Sequence, residues 1–227
     1  MPLPLSVIIP ALDEEERIAA AVDSAFAAGA AEVIVCDGGS RDSTATIAAA
    51  RGARVLHCGP IRSLQLNRGT EEARSDCLAF LHADTTLPPG AGQAICSALQ
   101  GGLIFGGFRV RFAEPSLRLR VAAAMINLRT FFTRSPWGDQ AQFIRRDTFF
   151  AAGAFLPIPL LEDYELAARM KRRGLTRVLP LLVTTSGRRF LERGVLRTAA
   201  LNWRIIVAYR MGADVEGLAR LYRGQPG

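Results

Sequence analysis

Through the first hundred residues, short apolar runs alternate with stretches whose apolar positions recur at helical spacing. Strands are expected over Leu5–Pro10, Glu32–Cys36, Ala53–His57 and Cys77–His82. Helices are expected over Glu14–Ala28, Ser43–Arg51 and Leu64–Arg74. In the first helix Ile18, Val22 and Phe26 share a face, and Gly29 closes it. Strands alternating with helices argue for a parallel α/β sheet covered on both faces. Beyond Pro88 the regularity loosens. Helices are expected over Gly92–Leu99, Ser116–Phe132, Leu161–Arg173 and Gly194–Met211, and strands over Leu103–Phe112, Gln142–Arg145 and Arg177–Thr185. Pro180 interrupts the last strand and suits an edge better than a sheet interior.

At 227 residues and 49% hydrophobic composition the chain can bury one substantial core. It is expected to form a single unit over 1–227, in a first half (1–100), a second half (101–190) and a carboxyl-terminal amphipathic helix (191–227). The amino-terminal apolar run is too short for a signal or a membrane span, and no later run reaches bilayer length. The four cysteines show no metal-binding or disulfide spacing, so reduced thiols in a cytoplasmic protein are expected.

The net charge of +7 is carried almost entirely by arginines concentrated after residue 108. Such a field favours anionic partners. Nucleic acid is disfavoured because no recognition motif accompanies the charge and aromatic content is 7%. The helix from Gly194 mixes apolar residues with arginines. It suits packing on its own domain or a homodimer partner first, and peripheral contact with the inner face of a membrane second.

Candidate chemistry collects where the apolar runs stop. Pro10 and Ala11 lead into Asp13 and Glu15, and VIVC leads into Asp37 and Gly38. FLHAD closes a strand with His82, Ala83 and Asp84. In open α/β sheets these carboxyl ends bind ligands. Asp37 can accept a hydrogen bond from a uracil imide or a ribose hydroxyl. His82 and Asp84, two residues apart in an extended segment, can hold a divalent cation against a diphosphate, with imidazole favouring Mn²⁺ over Mg²⁺. Arg62, with Gln65 and Asn67, either reaches a phosphate or begins a solvated helix. Trp137, Gly138 and Asp139 form an acceptor wall, with ordinary core packing of Trp137 as the competing reading. Neither a GxGxxG turn nor a Walker loop is present, which disfavours dinucleotide and ATP-hydrolysing functions.

Taken together, VIIPALDEE, VCDGGSRDST, LHADT and LEDYEL resemble the ordered motifs of glycosyltransferase family 2, from residue 5 to about 190. The resemblance implies a GT-A fold: a mostly parallel central sheet flanked by helices, with a carboxyl-terminal helical segment. It implies inverting transfer from a nucleotide-diphosphate sugar, assisted by Mn²⁺ or Mg²⁺, to a small-molecule or lipid-linked acceptor. Asp13 or Glu15 and Asp37 then hold the nucleoside, while His82, Ala83 and Asp84 occupy the metal motif, with His82 replacing its first acid. Asp163, preceded by Glu162, is the implied base. SGRRF stands where processive members carry QxxRW, so polymerisation is not expected, while Arg188 and Arg189 close over the diphosphate. The motif set is also similar to a small subgroup encoded beside radical-SAM and selenium or arsenosugar genes. A sugar-phosphate nucleotidyltransferase and a non-catalytic sugar-nucleotide binder are the alternatives.

Overall fold

The computed structural model describes residues 4–223. In chain order the elements begin β1 (Leu5–Ala11), α1 (Ile18–Ala27), β2 (Glu32–Asp37), α2 (Thr44–Ala50), β3 (Arg54–His57), α3 (Arg62–Glu72) and β4 (Cys77–Phe80). There follow β5 (Thr85–Thr86), α4 (Ala91–Gln100), β6 (Phe105–Phe112), α5 (Leu117–Thr133), a 3-10 turn (Gly138–Gln140), β7 (Phe143–Arg145) and α6 (Arg146–Ala151). The chain continues through α7 (Glu162–Arg173), β8 (Thr176–Thr185), α8 (Arg188–Arg193), α9 (Val195–Arg210) and α10 (Val215–Arg223).

The strands form one sheet in the order β3-β2-β1-β4-β7-β6-β8-β5. β1 runs parallel to β2 and β4, and β2 parallel to β3. β7 is antiparallel to both β4 and β6, joining the regular first half to the pair of parallel strands β6 and β8. Alternate strand residues feed two cores. Val7, Ile9, Val33 and Val35 pack with Ile18, Val22, Ile95 and Leu99 on one face. Ile8, Ile34, Leu78 and Phe80 pack with Leu66, Phe149, Leu166 and Met170 on the other. Burial on both faces explains why the strands read as continuous apolar runs rather than as alternation.

Three departures from the expected elements have local causes. Helix α1 begins at Ile18 rather than Glu14, because Asp13 turns left-handed (φ 52°) and residues 14–17 form a turn in which the Glu14 carbonyl accepts the Arg17 and Ile18 amides. Pro180 sits at a register break: Phe108 pairs with Leu179 and Arg109 with Leu182. Strand β8 is not the outermost strand, but β5 pairs with it only at Thr184 and Thr185, so Pro180 faces no ladder on that side. The carboxyl-terminal stretch is three helices rather than one, broken at Gly194 and Gly212, both at positive φ. Positions 224–227 of that expected segment lie outside the described residues. Among the described residues no helix is long and apolar enough to cross a membrane, and none of the four cysteines is in a disulfide.

Candidate active site

Parallel pairing brings the ends of β1 and β2 together, with Ala11 opposite Asp37, and β4 ends beside β1. The loops after these strands open onto a cavity of about 840 Å³. Pro10, Ala11, Glu14, Arg62, Gln65, His82, Ala83 and Asp84 line its sheet end. Trp137, Asp139, Asp163, Arg188 and Arg189 line it further out, and helices α5 and α9 wall its far side.

Not every expected residue reaches the cavity. Asp13 accepts the Arg41 amide at 2.8 Å, and Glu15 accepts the Ser43 amide at 3.0 Å, so both brace the β1–α1 loop against the β2–α2 loop. It is Glu14, between them, that faces inward. Asp37 is 3% exposed; its carboxylate accepts the Gly39 and Ser40 amides and the Ser40 hydroxyl. Gly38 has no room for a side chain, because a Cβ there would strike Gln65, whose amide donates to the Gly59 carbonyl at 2.9 Å. Asn67 is fully occupied elsewhere, donating to the Phe155 carbonyl and accepting its amide.

The two neighbouring acids at the start of α7 face different surroundings. Glu162 is 1% exposed and pairs with Arg62 Nε, tying α7 to α3. Burial pulls the Arg62 guanidinium down, but Glu162 and Asp163 outweigh that and leave its pKa raised. Asp163 instead opens to the cavity, its Oδ2 accepting the Gly138 amide at 2.6 Å. A Cβ on Gly138 would lie 2.6 Å from His82 Nε2 and 3.0 Å from Asp163 Oδ2, so the imidazole and the carboxylate converge on one glycine. Burial, with help from Arg62, pushes the His82 pKa down to about 4, keeping a neutral ring with a free lone pair. Among the described residues no group of three or more His, Cys, Asp or Glu is arranged to hold a metal by itself.

Around this centre Arg188 pairs with Glu14, and Arg189 donates to the Tyr222 hydroxyl at 3.0 Å. Glu14 Oε2 is buried without a hydrogen-bond partner, and desolvation together with the Asp84 charge raises its pKa against the pull of Arg188. Burial likewise raises Asp139 to about 6. Trp137 meets Tyr164 edge-on, with centroids 6.0 Å apart, and lies under the Arg129 guanidinium, 3.2 Å from the ring centroid. Desolvation lowers Arg129 to about 10.

Sequence reasoning passed over Glu14, Arg129, Gln140 and Gln142. Gln140 accepts from Arg129, Thr130 and the Trp137 amide, and Gln142 donates to the carbonyls of Pro136 and Asp163. Two buried amides in the run GDQAQF, leading into an apolar strand, were the available signal for a built loop.

The profile described as Glycosyl transferase family 2 matches residues 6–157. No curated protein sequence matches the chain. Among solved structures it is similar to glucosyl-3-phosphoglycerate synthase of M. tuberculosis, at 22% identity and TM-score 0.56, covering 81% of this chain and 72% of that one. It is also similar to the mannosyltransferase PcManGT of Pyrobaculum calidifontis, solved with GDP-Man and Mn²⁺, at 16% identity and TM-score 0.68, covering 92% and 61%. A further mycobacterial protein matches at 24% identity and TM-score 0.57 over 81% of this chain, which spans 65% of that protein's length.

Proposed function

The chain belongs to Glycosyl transferase family 2, and from that membership we propose that it transfers a sugar from a nucleoside-diphosphate donor to an acceptor in a single inverting displacement, with Asp163 as the base. The observation that carries this reading is the Asp163 carboxylate, fixed by the Gly138 amide and facing the cavity that His82 and Asp84 also line.

An acceptor hydroxyl gives its proton to Asp163, and its oxygen attacks the anomeric carbon. The bond from that carbon to the diphosphate oxygen breaks, and its electron pair leaves with the nucleotide. Arg62 and Arg188 sit where that charge develops, each held by an acid that fixes its orientation. Asp37 and the Gly38 backbone take the nucleoside, while Asp13 and Glu15 hold the loop that shapes its site. One carboxylate, Asp84, and one neutral imidazole, His82, would hold a divalent cation at the sheet end of the cavity. When bound, that cation supplies charge neutralisation to the leaving group. That PcManGT was solved with GDP-Man and Mn²⁺ supports a nucleotide-sugar donor and a divalent cation. Within the family we place the chain in the subgroup encoded beside radical-SAM and selenium or arsenosugar genes, on the strength of its motif set.

Calorimetry with UDP- and GDP-sugars, with and without Mn²⁺, tests donor binding. Asp163→Asn is expected to abolish turnover while leaving donor affinity within about twofold. Retained turnover removes Asp163 from the base role, and release of pyrophosphate from a nucleoside triphosphate refutes the transferase reading.

A further inference from the structure

The outer half of the cavity has a different chemistry from its sheet end. Its walls are Ala122, Met125 and Phe132 from α5, and Ala199, Trp203 and Ile206 from α9. Met125, Phe132 and Trp203 are more than half exposed, an unfavourable arrangement for large apolar side chains unless something covers them. A cation lies on this side. Arg129 projects from α5 over Trp137; its Nη2 donates to Thr130 and Gln140, while its Nε is buried with no partner. Arg62 and Arg188 each have an acid at ion-pair distance, but among the described residues Arg129 has none. A desolvated cation with no acid at ion-pair distance and an unpartnered Nε is costly, and an incoming anion would relieve that cost.

Resting on the transferase reading, we propose that the acceptor is an amphiphile whose anionic head is held by Arg129 and whose apolar body lies between α5 and α9. The head is thereby placed near Asp163, whose Oδ2 accepts the amide of Gly138, the residue after the Trp137 that lies under Arg129. A hydroxyl next to the anionic group would meet the base while the apolar body stays in the outer half. Arg129 is assigned as a specificity-determining residue.

Both tryptophans of the chain, Trp137 and Trp203, line the cavity, so intrinsic fluorescence reports on this site directly. The probes are n-octyl phosphate below its critical micelle concentration, inorganic phosphate and n-octanol, each titrated into the full chain. Octyl phosphate is expected to bind roughly hundredfold more tightly than inorganic phosphate, the effect of about four buried methylenes. Ala199→Phe, which fills the channel, should remove most of that advantage. Arg129→Gln should bring octyl phosphate and octanol to similar affinity. UDP titrated into the same variants should bind as it does to the wild type.

Equal binding of octyl phosphate and inorganic phosphate overturns the proposal, as does an unchanged octyl phosphate affinity in both variants. A dimer in solution that takes up no octyl phosphate also overturns it and assigns the α5–α9 face to a second copy. Should the wild-type chain bind octyl phosphate but no nucleotide, the transferase reading fails and this site stands. Nucleotide binding without octyl phosphate binding overturns the amphiphile site and leaves the transferase reading in place.

Discussion

Gly138→Ala tests the proposed role of Asp163 most directly. The native Gly138 amide donates to Asp163 Oδ2 at 2.6 Å, and an added methyl would begin 2.6 Å from His82 Nε2 and 3.0 Å from that same oxygen. Ordinary van der Waals contact begins at 3.4 Å. The imidazole must therefore retreat by about 0.8 Å and the carboxylate by about 0.4 Å. Glycine is not needed here for its backbone freedom, since Gly138 is not among the positive-φ residues, so the effect of the substitution is steric. A displacement approaching 1 Å at a catalytic group costs up to ~10²-fold in rate, or about 2.7 kcal/mol of transition-state stabilisation. We expect kcat to fall by roughly 10- to 100-fold, with the melting temperature within a few degrees of wild type. UDP affinity measured without added cation, which does not call on His82, should be unchanged. Steady-state kinetics and calorimetry on the same preparation separate these effects. A kcat within about twofold of wild type would refute the reasoning, because a methyl at that point must displace the carboxylate proposed as the base.

Three further substitutions probe the surroundings. Glu162→Gln strips Arg62 of its acid; since Arg62 is about one-third exposed, the loss of stability should be on the order of 1–2 kcal/mol rather than the full cost of a buried unpaired charge, and urea melts will measure it. The folded-state pKa of Asp139 is raised to about 6, so the native state binds the extra proton between the ordinary carboxylate range and pH 6, and stability falls as pH rises through that window. Asp139→Asn should therefore raise the melting temperature at pH 7.5 but not at pH 4, and equal shifts at both would contradict the assignment. His82→Asp should improve Mg²⁺ relative to Mn²⁺ in supporting turnover, because it exchanges an imidazole for a hard oxygen donor; an unchanged metal ratio would show that His82 does not contact the ion.

The first half of the fold was legible because β1, β2 and β4 are buried on both faces and bounded by turns, so Leu5–Ala11, Glu32–Asp37 and Cys77–Phe80 announce themselves as apolar runs. The second half was less so. Strand β7 is three residues long, antiparallel on both sides, and held by partners far away in sequence. Helix α6 starts at the very next residue, with no intervening turn to mark it. Helices α8 and α10 are short segments in an arginine-rich stretch, and α10 packs on α9 through Leu218 and Ala219, contacts the local pattern cannot specify. At the site, the positions that end strands were readable because the sheet aligns them. The loop Trp137–Gln142 was readable only as an aromatic next to an acid, since its shape depends on Gln140 reaching Phe108 and Gln142 reaching Asp163.

Adjacent acids in this chain do different work because the backbone, not the side-chain type, decides where each points. In Asp13-Glu14-Glu15 the positive φ of Asp13 turns the chain, so the outer two carboxylates take loop amides and only the middle one faces the ligand cavity. In Glu162-Asp163 the left-handed Leu161 starts the helix abruptly. Residues one apart on a helix differ by about 100° around its axis, which directs Glu162 inward to Arg62 and Asp163 outward to Gly138. Leu161 at φ 67° is a branched side chain in a conformation that disfavours it. That conformation fixes where α7 starts, and with it which of the two acids meets Arg62 and which meets Gly138.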